Sequence, residues 1–144
     1  MNKIEPHYVD FNTAKLLKEK GFNMDIKSNL YQTEKAVYKE NEKLIINQNS
    51  RGGSICMFEG IYAAPEQHQV IEWLRINHGI NVLPIENYRY PDNIIERWKY
   101  QIVNNQEKDR DIFNKKFYIE SDFEFNSPQE AYSAAFDYIL AELI

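Results

Sequence analysis

Arg97-Trp98-Lys99-Tyr100-Gln101-Ile102 is the stretch of sequence that does most to set the fold. Its aromatic and aliphatic residues alternate with polar ones, which is the period of a half-buried strand. The same alternation returns over residues 117–125, where Phe117, Ile119, Phe123 and Phe125 form the apolar set and Ser121 weakens it. We expect a second long strand there, paired antiparallel with the first because only the polar, turn-like stretch 104–114 separates them.

Three helices are predicted around these strands. Ser127-Pro128-Gln129-Glu130 is a capping box with proline in the first turn, so a helix should run from there to residue 144. A second helix opens at Ala64-Pro65 and stops at Gly79. A short helix covers residues 14–20, before Gly21. Its cap candidates are Asp10, Asn12 and Thr13. The inner face of the last helix should hold Ala131, Tyr132, Ala135, Phe136, Ile139 and Leu143.

Further strands complete the predicted architecture. The sequence predicts a hairpin over residues 34–47 and a third strand over residues 55–61, with Gly60 as a weak point or a bulge. It also predicts a short extended segment over residues 80–84, before a loop over 86–93. The sequence therefore predicts a single α+β domain over residues 1–144. It has an antiparallel sheet of about four to six strands, with three helices packed mainly on one face.

Composition and charge narrow the classes of function. The chain has 144 residues, of which 43% are hydrophobic and 14% aromatic, which is too apolar for a disordered chain. The net charge is −5, divided as +2 over residues 1–53 and −7 over residues 54–144. An acidic chain is not drawn to phosphate backbones as a whole, so nucleic-acid binding is expected only through a local patch.

The amino-terminal residues lack the apolar core of a secretion signal, and no run approaches the roughly 18 apolar residues that span a membrane. We therefore expect a cytoplasmic protein with no membrane contact.

No catalytic constellation stands out in the sequence, and no cofactor is expected. Cys56, the only cysteine, lies in an apolar run and is interpreted as a buried thiol. His68 and Glu72 share a helix face four residues apart, but no further ligand completes a metal or acid–base site. His78 is expected to cap a helix carboxyl end as an imidazolium. Arg51-Gly52-Gly53-Ser54 lacks the ending of a phosphate-binding loop and favours a hairpin turn.

Tyr88-Arg89-Tyr90 is the strongest candidate binding segment. Tyrosine and arginine are enriched among residues that dominate protein interfaces, and aromatic rings can also stack on bases. The interpretation in which one tyrosine folds onto the core stays open.

Several segments resemble small uncharacterised proteins of phages and mobile elements from Bacteroides-type gut bacteria. The resemblance lies in Ala64-Pro65, Trp73-Leu74-Arg75 and Asn77-His78-Gly79-Ile80, with supporting similarity over Phe11–Phe22 and Ser127–Ile144. This chain departs from the pattern at Ile76 and in the order Asn77-His78. The resemblance implies a genomic context and carries no established activity.

Two functions of different classes follow as hypotheses. The first is a non-enzymatic phage or mobile-element accessory protein that binds a host or phage protein through Tyr88, Arg89 and Tyr90; virion association is one version of it. The alternative is a nucleic-acid-binding module that uses Lys15, Lys18 and Lys20. A small hydrolase that gathers Cys56, His68 and Glu72 in one pocket is the third.

Overall fold

A computed structural model of the chain describes residues 6–22, 35–39, 43–47, 60–89, 91–92 and 94–144. The described part contains three helices and two three-stranded antiparallel sheets, which confirms the predicted α+β class. The six strands of the described residues lie in two sheets, where the sequence predicted one sheet of about four to six strands. The chain divides into two compact units, Met1–Glu66 and Gln67–Ile144. That residues 1–144 form a single domain stays a prediction.

The helix of the first unit, α1, spans Phe11–Glu19. Asp10 is the cap: its side chain accepts a hydrogen bond from the backbone N–H of Thr13 at 2.8 Å. This cap starts the helix three residues earlier than predicted. Lys20 is the C-cap of α1, and the next residue, Gly21, adopts a φ of +83°. This left-handed conformation ends many helices, and glycine adopts it without the steric cost that a side chain would bring.

The sheet of the first unit places β1 (Lys35–Lys39) between β2 (Leu44–Asn47) and β3 (Ile61–Ala63). The β1–β2 pairing confirms the predicted hairpin. The predicted third strand is confirmed only at its end, because residues 55–59 lie outside the described residues. Gly60 has a φ of +76° in the turn that leads into β3.

The second unit consists of α2 (Gln67–His78), β4 (Ile80–Arg89), β5 (Ile94–Asn104), β6 (Tyr118–Glu120) and α3 (Pro128–Glu142). Its strand order is β4-β5-β6, with α2 and α3 packed against the sheet. The core lies between the helices and one sheet face. It is formed by the buried side chains Val70, Leu74, Ile80, Val82, Ile102, Ala135, Phe136 and Ile139. Leu140 is buried as well, whereas the predicted inner residues Tyr132 and Leu143 are half-buried.

The helix ends of the second unit follow their sequence signals closely. α2 begins at Gln67, two residues after Pro65, and Gly79 ends it with a φ of +62°. Ser127 accepts the N–H of Glu130 at 3.1 Å, as a capping box requires. The Glu130 carboxylate reaches back to the N–H of Asn126 at 2.9 Å, one residue before the cap.

The prediction of a loop over residues 86–93 is wrong for its first half, which is strand. β4 continues to Arg89 and pairs with the start of β5, with a register shift between Asn87 and Tyr88. Local composition indicated a loop, but cross-strand pairing extends the strand through these residues.

The prediction of a second long strand over residues 117–125 is also wrong in part, because β6 covers only Tyr118–Glu120. Regular pairing of β6 stops at Glu120 and resumes only where Phe125 lies opposite Trp98. At Ser121 the hydroxyl accepts the backbone N–H of Tyr100 at 2.9 Å, which replaces a normal ladder bond. Residues 121–124 are not paired as strand, and Phe123, expected on the inner face, is 38% exposed.

Pro84 lies within β4, at the edge of its sheet, directly opposite Tyr100. The backbone N–H of Tyr100 donates to the hydroxyl of Ser121 and its carbonyl accepts the N–H of Ser121, both on the β6 side. Because bonding direction alternates along an antiparallel strand, the backbone of Pro84 faces away from β5, where its missing N–H costs no ladder bond. A proline at this point also discourages the addition of a foreign strand.

Candidate binding surface

Tyr88 is the described side chain of the predicted Tyr88-Arg89-Tyr90 segment. It lies near the end of β4 and is 54% exposed. Its hydroxyl donates a hydrogen bond to the carboxylate of Glu86, and this bond raises the pKa of Tyr88. Arg89 belongs to β4, but its side chain and the whole of Tyr90 lie outside the described residues. The structure therefore places one member of the predicted site on the surface.

The lysines of the nucleic-acid alternative all belong to α1 or its cap. Lys15 is exposed, with Nζ 5.5 Å from the ring centroid of Phe11. Lys18 donates from Nζ to the carbonyl of Ile61 at 3.0 Å and lies 5.0 Å from the ring of Tyr62. Lys20 is exposed at the carboxyl end of the helix. Lys18 thus already has structural contacts with β3.

The residues considered for chemistry do not converge in the described part of the chain. The Glu72 carboxylate binds Arg75, with Oε1 and Nη2 2.5 Å apart, and this hydrogen bond lowers the pKa of Glu72. His68 is exposed on the same helix, and Cys56 lies outside the described residues. In the ranges that the structure describes, no group of three His, Cys, Asp or Glu side chains is placed to hold a metal ion.

His78 lines an open pocket of about 300 Å³ where α2, β5 and α3 end and β4 begins. Its ring packs edge-on against Trp73, with centroids 4.6 Å apart. Burial lowers the pKa of His78, so the neutral imidazole is favoured over the charged cap that the sequence predicted. The other lining residues are Asn77, Ile80, Asn104, Gln106, Leu143 and Ile144.

A polar cluster occupies the sheet face opposite the helices of the second unit. Lys99 forms an ion pair with Glu120, which also accepts hydrogen bonds from Tyr118 at 2.5 Å and from Gln101 at 3.3 Å. Phe123 covers Lys99, with Nζ 4.6 Å from the ring centroid. These contacts lower the pKa of Glu120 and raise the pKa of Tyr118, so the carboxylate stays ionised and the phenol stays protonated near neutral pH. It is suited to fixing β6 on β5 rather than to moving protons.

The segment 105–117, hereafter the Phe113 loop, joins β5 to β6. Its ends are fixed because Asn105 donates its N–H to the carbonyl of Gly79 at 2.9 Å and Phe117 accepts the N–H of Asn104 at 2.8 Å. Inside it, three side chains accept the N–H two residues further on: Asp109 from Asp111, Asp111 from Phe113, and Asn114 from Lys116. Such turns replace the ladder bonds that a loop lacks, so the Phe113 loop has a defined internal structure.

The Phe113 loop presents two large apolar side chains at its tip. Phe113 is 85% exposed and Ile112 is 63% exposed. Their neighbours Lys108, Arg110, Lys115 and Lys116 are exposed and make no ion pair with any described residue. The sequence predicts a polar turn here, although the adjacent Ile112 and Phe113 within a charged segment indicate an apolar tip.

Comparison of the chain with protein-family models, curated proteins and solved structures gave no match. Within the described ranges, no helix has both the length and the apolar character needed to cross a bilayer.

Proposed function

We propose that this chain acts by binding another protein rather than by catalysing a reaction. The observation that carries the proposal is the placement of large apolar side chains on the surface. All seven that are exposed among the described residues belong to the second unit: Ile76, Leu83, Tyr88, Ile94, Ile112, Phe113 and Phe123. Single exposed apolar residues are ordinary, but an adjacent pair held on a structured loop is typical of a recognition surface.

The second unit offers two separate places for contact. Tyr88 and Ile94 lie at the turn end of the β4–β5 hairpin, whereas the Phe113 loop follows the opposite end of β5. β5 has 11 residues and spans roughly 35 Å at about 3.3 Å per residue. One small pocket on a partner cannot cover both ends, so the contribution of each can be measured separately.

The proposed context is an accessory role in a phage or mobile element, with a host or phage protein as the partner. It rests on the sequence resemblance. Location in the bacterial cytoplasm or association with a virion belongs to the same proposal. Nucleic-acid binding through Lys15, Lys18 and Lys20 has less support, since Lys18 already contacts Ile61 and Tyr62.

The test is affinity purification of the full-length chain from cells that carry its gene, with and without nuclease. We expect a protein to co-purify in fixed ratio, and Tyr88→Ala or Phe113→Ala to reduce its recovery about tenfold. Lys15→Ala is the matched control in the first unit and should leave recovery unchanged. If both second-unit variants recover as much partner as wild type, protein binding through the second unit is contradicted. Recovery that is lost on nuclease treatment and depends on Lys15 would contradict it as well.

A further inference from the structure

We infer that the Phe113 loop is a preformed docking element, whose occupant is an apolar pocket with an acidic rim on a partner protein. This inference rests on the proposed function and names the partner's chemistry. It draws on three features of the described residues: exposure of the tip, fixation of the backbone, and the unpaired cations around it.

The tip of the Phe113 loop exposes its two apolar side chains to solvent. At 85%, Phe113 contributes almost nothing to the interior of its own chain, so folding does not account for its apolar surface. Ile112 beside it is 63% exposed. Together they form a compact apolar knob, and burying an aromatic and a branched aliphatic side chain is how a small number of residues dominates a protein interface.

Side-chain hydrogen bonds fix the backbone of this tip. The N–H of Phe113 is bound by Asp111 at 3.0 Å, and the Asn114 side chain donates to the carbonyl of Asp109 at 2.8 Å across the base of the tip. A backbone fixed in this way loses less conformational entropy when a partner closes on it. The knob is thus held ready for insertion before any partner arrives.

Charge selects the class of occupant. Residues 107–116 hold four basic side chains and three acidic ones, a net charge of +1. The four cations make no ion pair with described residues, so they can meet carboxylates on the partner. Because Glu107, Asp109 and Asp111 are interleaved with the cations, the net charge of +1 is too small for a dense row of phosphates, each of which needs its own cation. A protein pocket with scattered carboxylates fits this mixed pattern better than a lipid surface or a nucleic acid.

The experiment places the photoreactive residue p-benzoylphenylalanine at position 113 of the full chain, in cells that carry its gene. Position 15, an exposed site on α1 of the first unit, serves as the control. We expect a protein cross-linked at 113 and not at 15, with the attached peptide carrying apolar residues flanked by Asp or Glu. Equal labelling from both positions, a neutral or basic attachment site, or a cross-link to a second copy of this chain would overturn the inference.

Charge variants test the rim. Lys115→Glu with Lys116→Glu should weaken capture of that protein about tenfold. The matched control, Lys15→Glu with Lys39→Glu, makes the same change in net charge on the first unit and should have little effect. Equal losses from both pairs would show that only overall charge matters and would contradict an acidic rim.

Binding assays test whether a lipid surface or a nucleic acid occupies the tip. We measure binding of wild type and Phe113→Ala to vesicles of mixed phosphatidylcholine and phosphatidylserine, and to a single-stranded oligonucleotide. Phe113-dependent binding to either would overturn the inference, and its absence from both supports a protein partner. If Tyr88→Ala abolishes partner recovery while Phe113→Ala does not, the proposed function stands and this inference fails.

Discussion

Asp111 holds Phe113 by a single short-range contact: Oδ1 of the aspartate accepts the backbone N–H of the phenylalanine at 3.0 Å. Asp109 binds the N–H of Asp111 in the same manner at 3.2 Å. These linked turns hold the backbone under the most exposed of the large apolar side chains that the structure describes. Local polar side chains thus prepare a surface that the interior of the chain does not use.

Asp111→Ala should loosen this turn, because the N–H of Phe113 loses its acceptor. We expect faster hydrogen exchange at the Phe113 amide, measured by NMR, and a loss of unfolding free energy of about 0.5–1.5 kcal/mol. Asp111→Asn keeps a carbonyl oxygen at the same place and is the matched control. Identical exchange rates in wild type and Asp111→Ala would show that the contact does not hold the tip.

Phe113→Ala should leave the unfolding free energy within about 0.5 kcal/mol of wild type, since the ring is almost fully exposed. Phe136→Ala removes the same side chain from a fully buried position in α3 and should cost about 3–5 kcal/mol. Urea unfolding of both variants makes the comparison. A large loss in Phe113→Ala would mean that the ring has a structural role and would weaken the case for a docking surface.

His78 should make the fold less stable as pH falls. Burial lowers its pKa in the folded state, so the unfolded chain takes up the proton more readily. Stability is therefore lost as pH decreases through the unfolded pKa, near 6.5, and levels off below the folded pKa. Urea unfolding at several pH values between these limits, with His78→Gln as the non-titrating control, measures this contribution. A wild-type curve parallel to that of His78→Gln would contradict it.

Ser127→Ala should destabilise α3, because the N–H of Glu130 loses its cap. The expected cost is about 1 kcal/mol in thermal or urea unfolding. Ser127→Asp retains an acceptor at the positive end of the helix and should preserve most of the stability. If alanine and aspartate behave alike, the hydroxyl contact does not contribute to α3.

The sequence predicted the elements whose signals are local. Asp10, Gly79 and Ser127 lie at helix ends as their side chains or backbone freedom require, and the alternation around Tyr100 marks β5. The errors come from contacts between distant residues. Pairing with β5 turned the predicted loop at Tyr88 into strand, and the hydroxyl of Ser121 interrupted a strand that alternation alone would have continued.

The candidate site was harder to predict than the fold, for a physical reason. Tyr88 was recognised because its residue type is common at interfaces, and the structure exposes it. Phe113 was missed because Asp109, Asp111 and Asn114 look like solvated loop residues until their turns are seen. Which apolar side chain a loop turns outward depends on backbone geometry that composition does not record.

The most direct measurement of the central claim is the affinity of the full-length chain for the protein cross-linked at position 113. Isothermal titration of the two purified proteins would compare wild type, Phe113→Ala and Lys15→Ala. We predict that Phe113→Ala weakens binding at least tenfold in Kd, which corresponds to about 1.4 kcal/mol, and that Lys15→Ala leaves the Kd unchanged. An unchanged Kd for Phe113→Ala would contradict it.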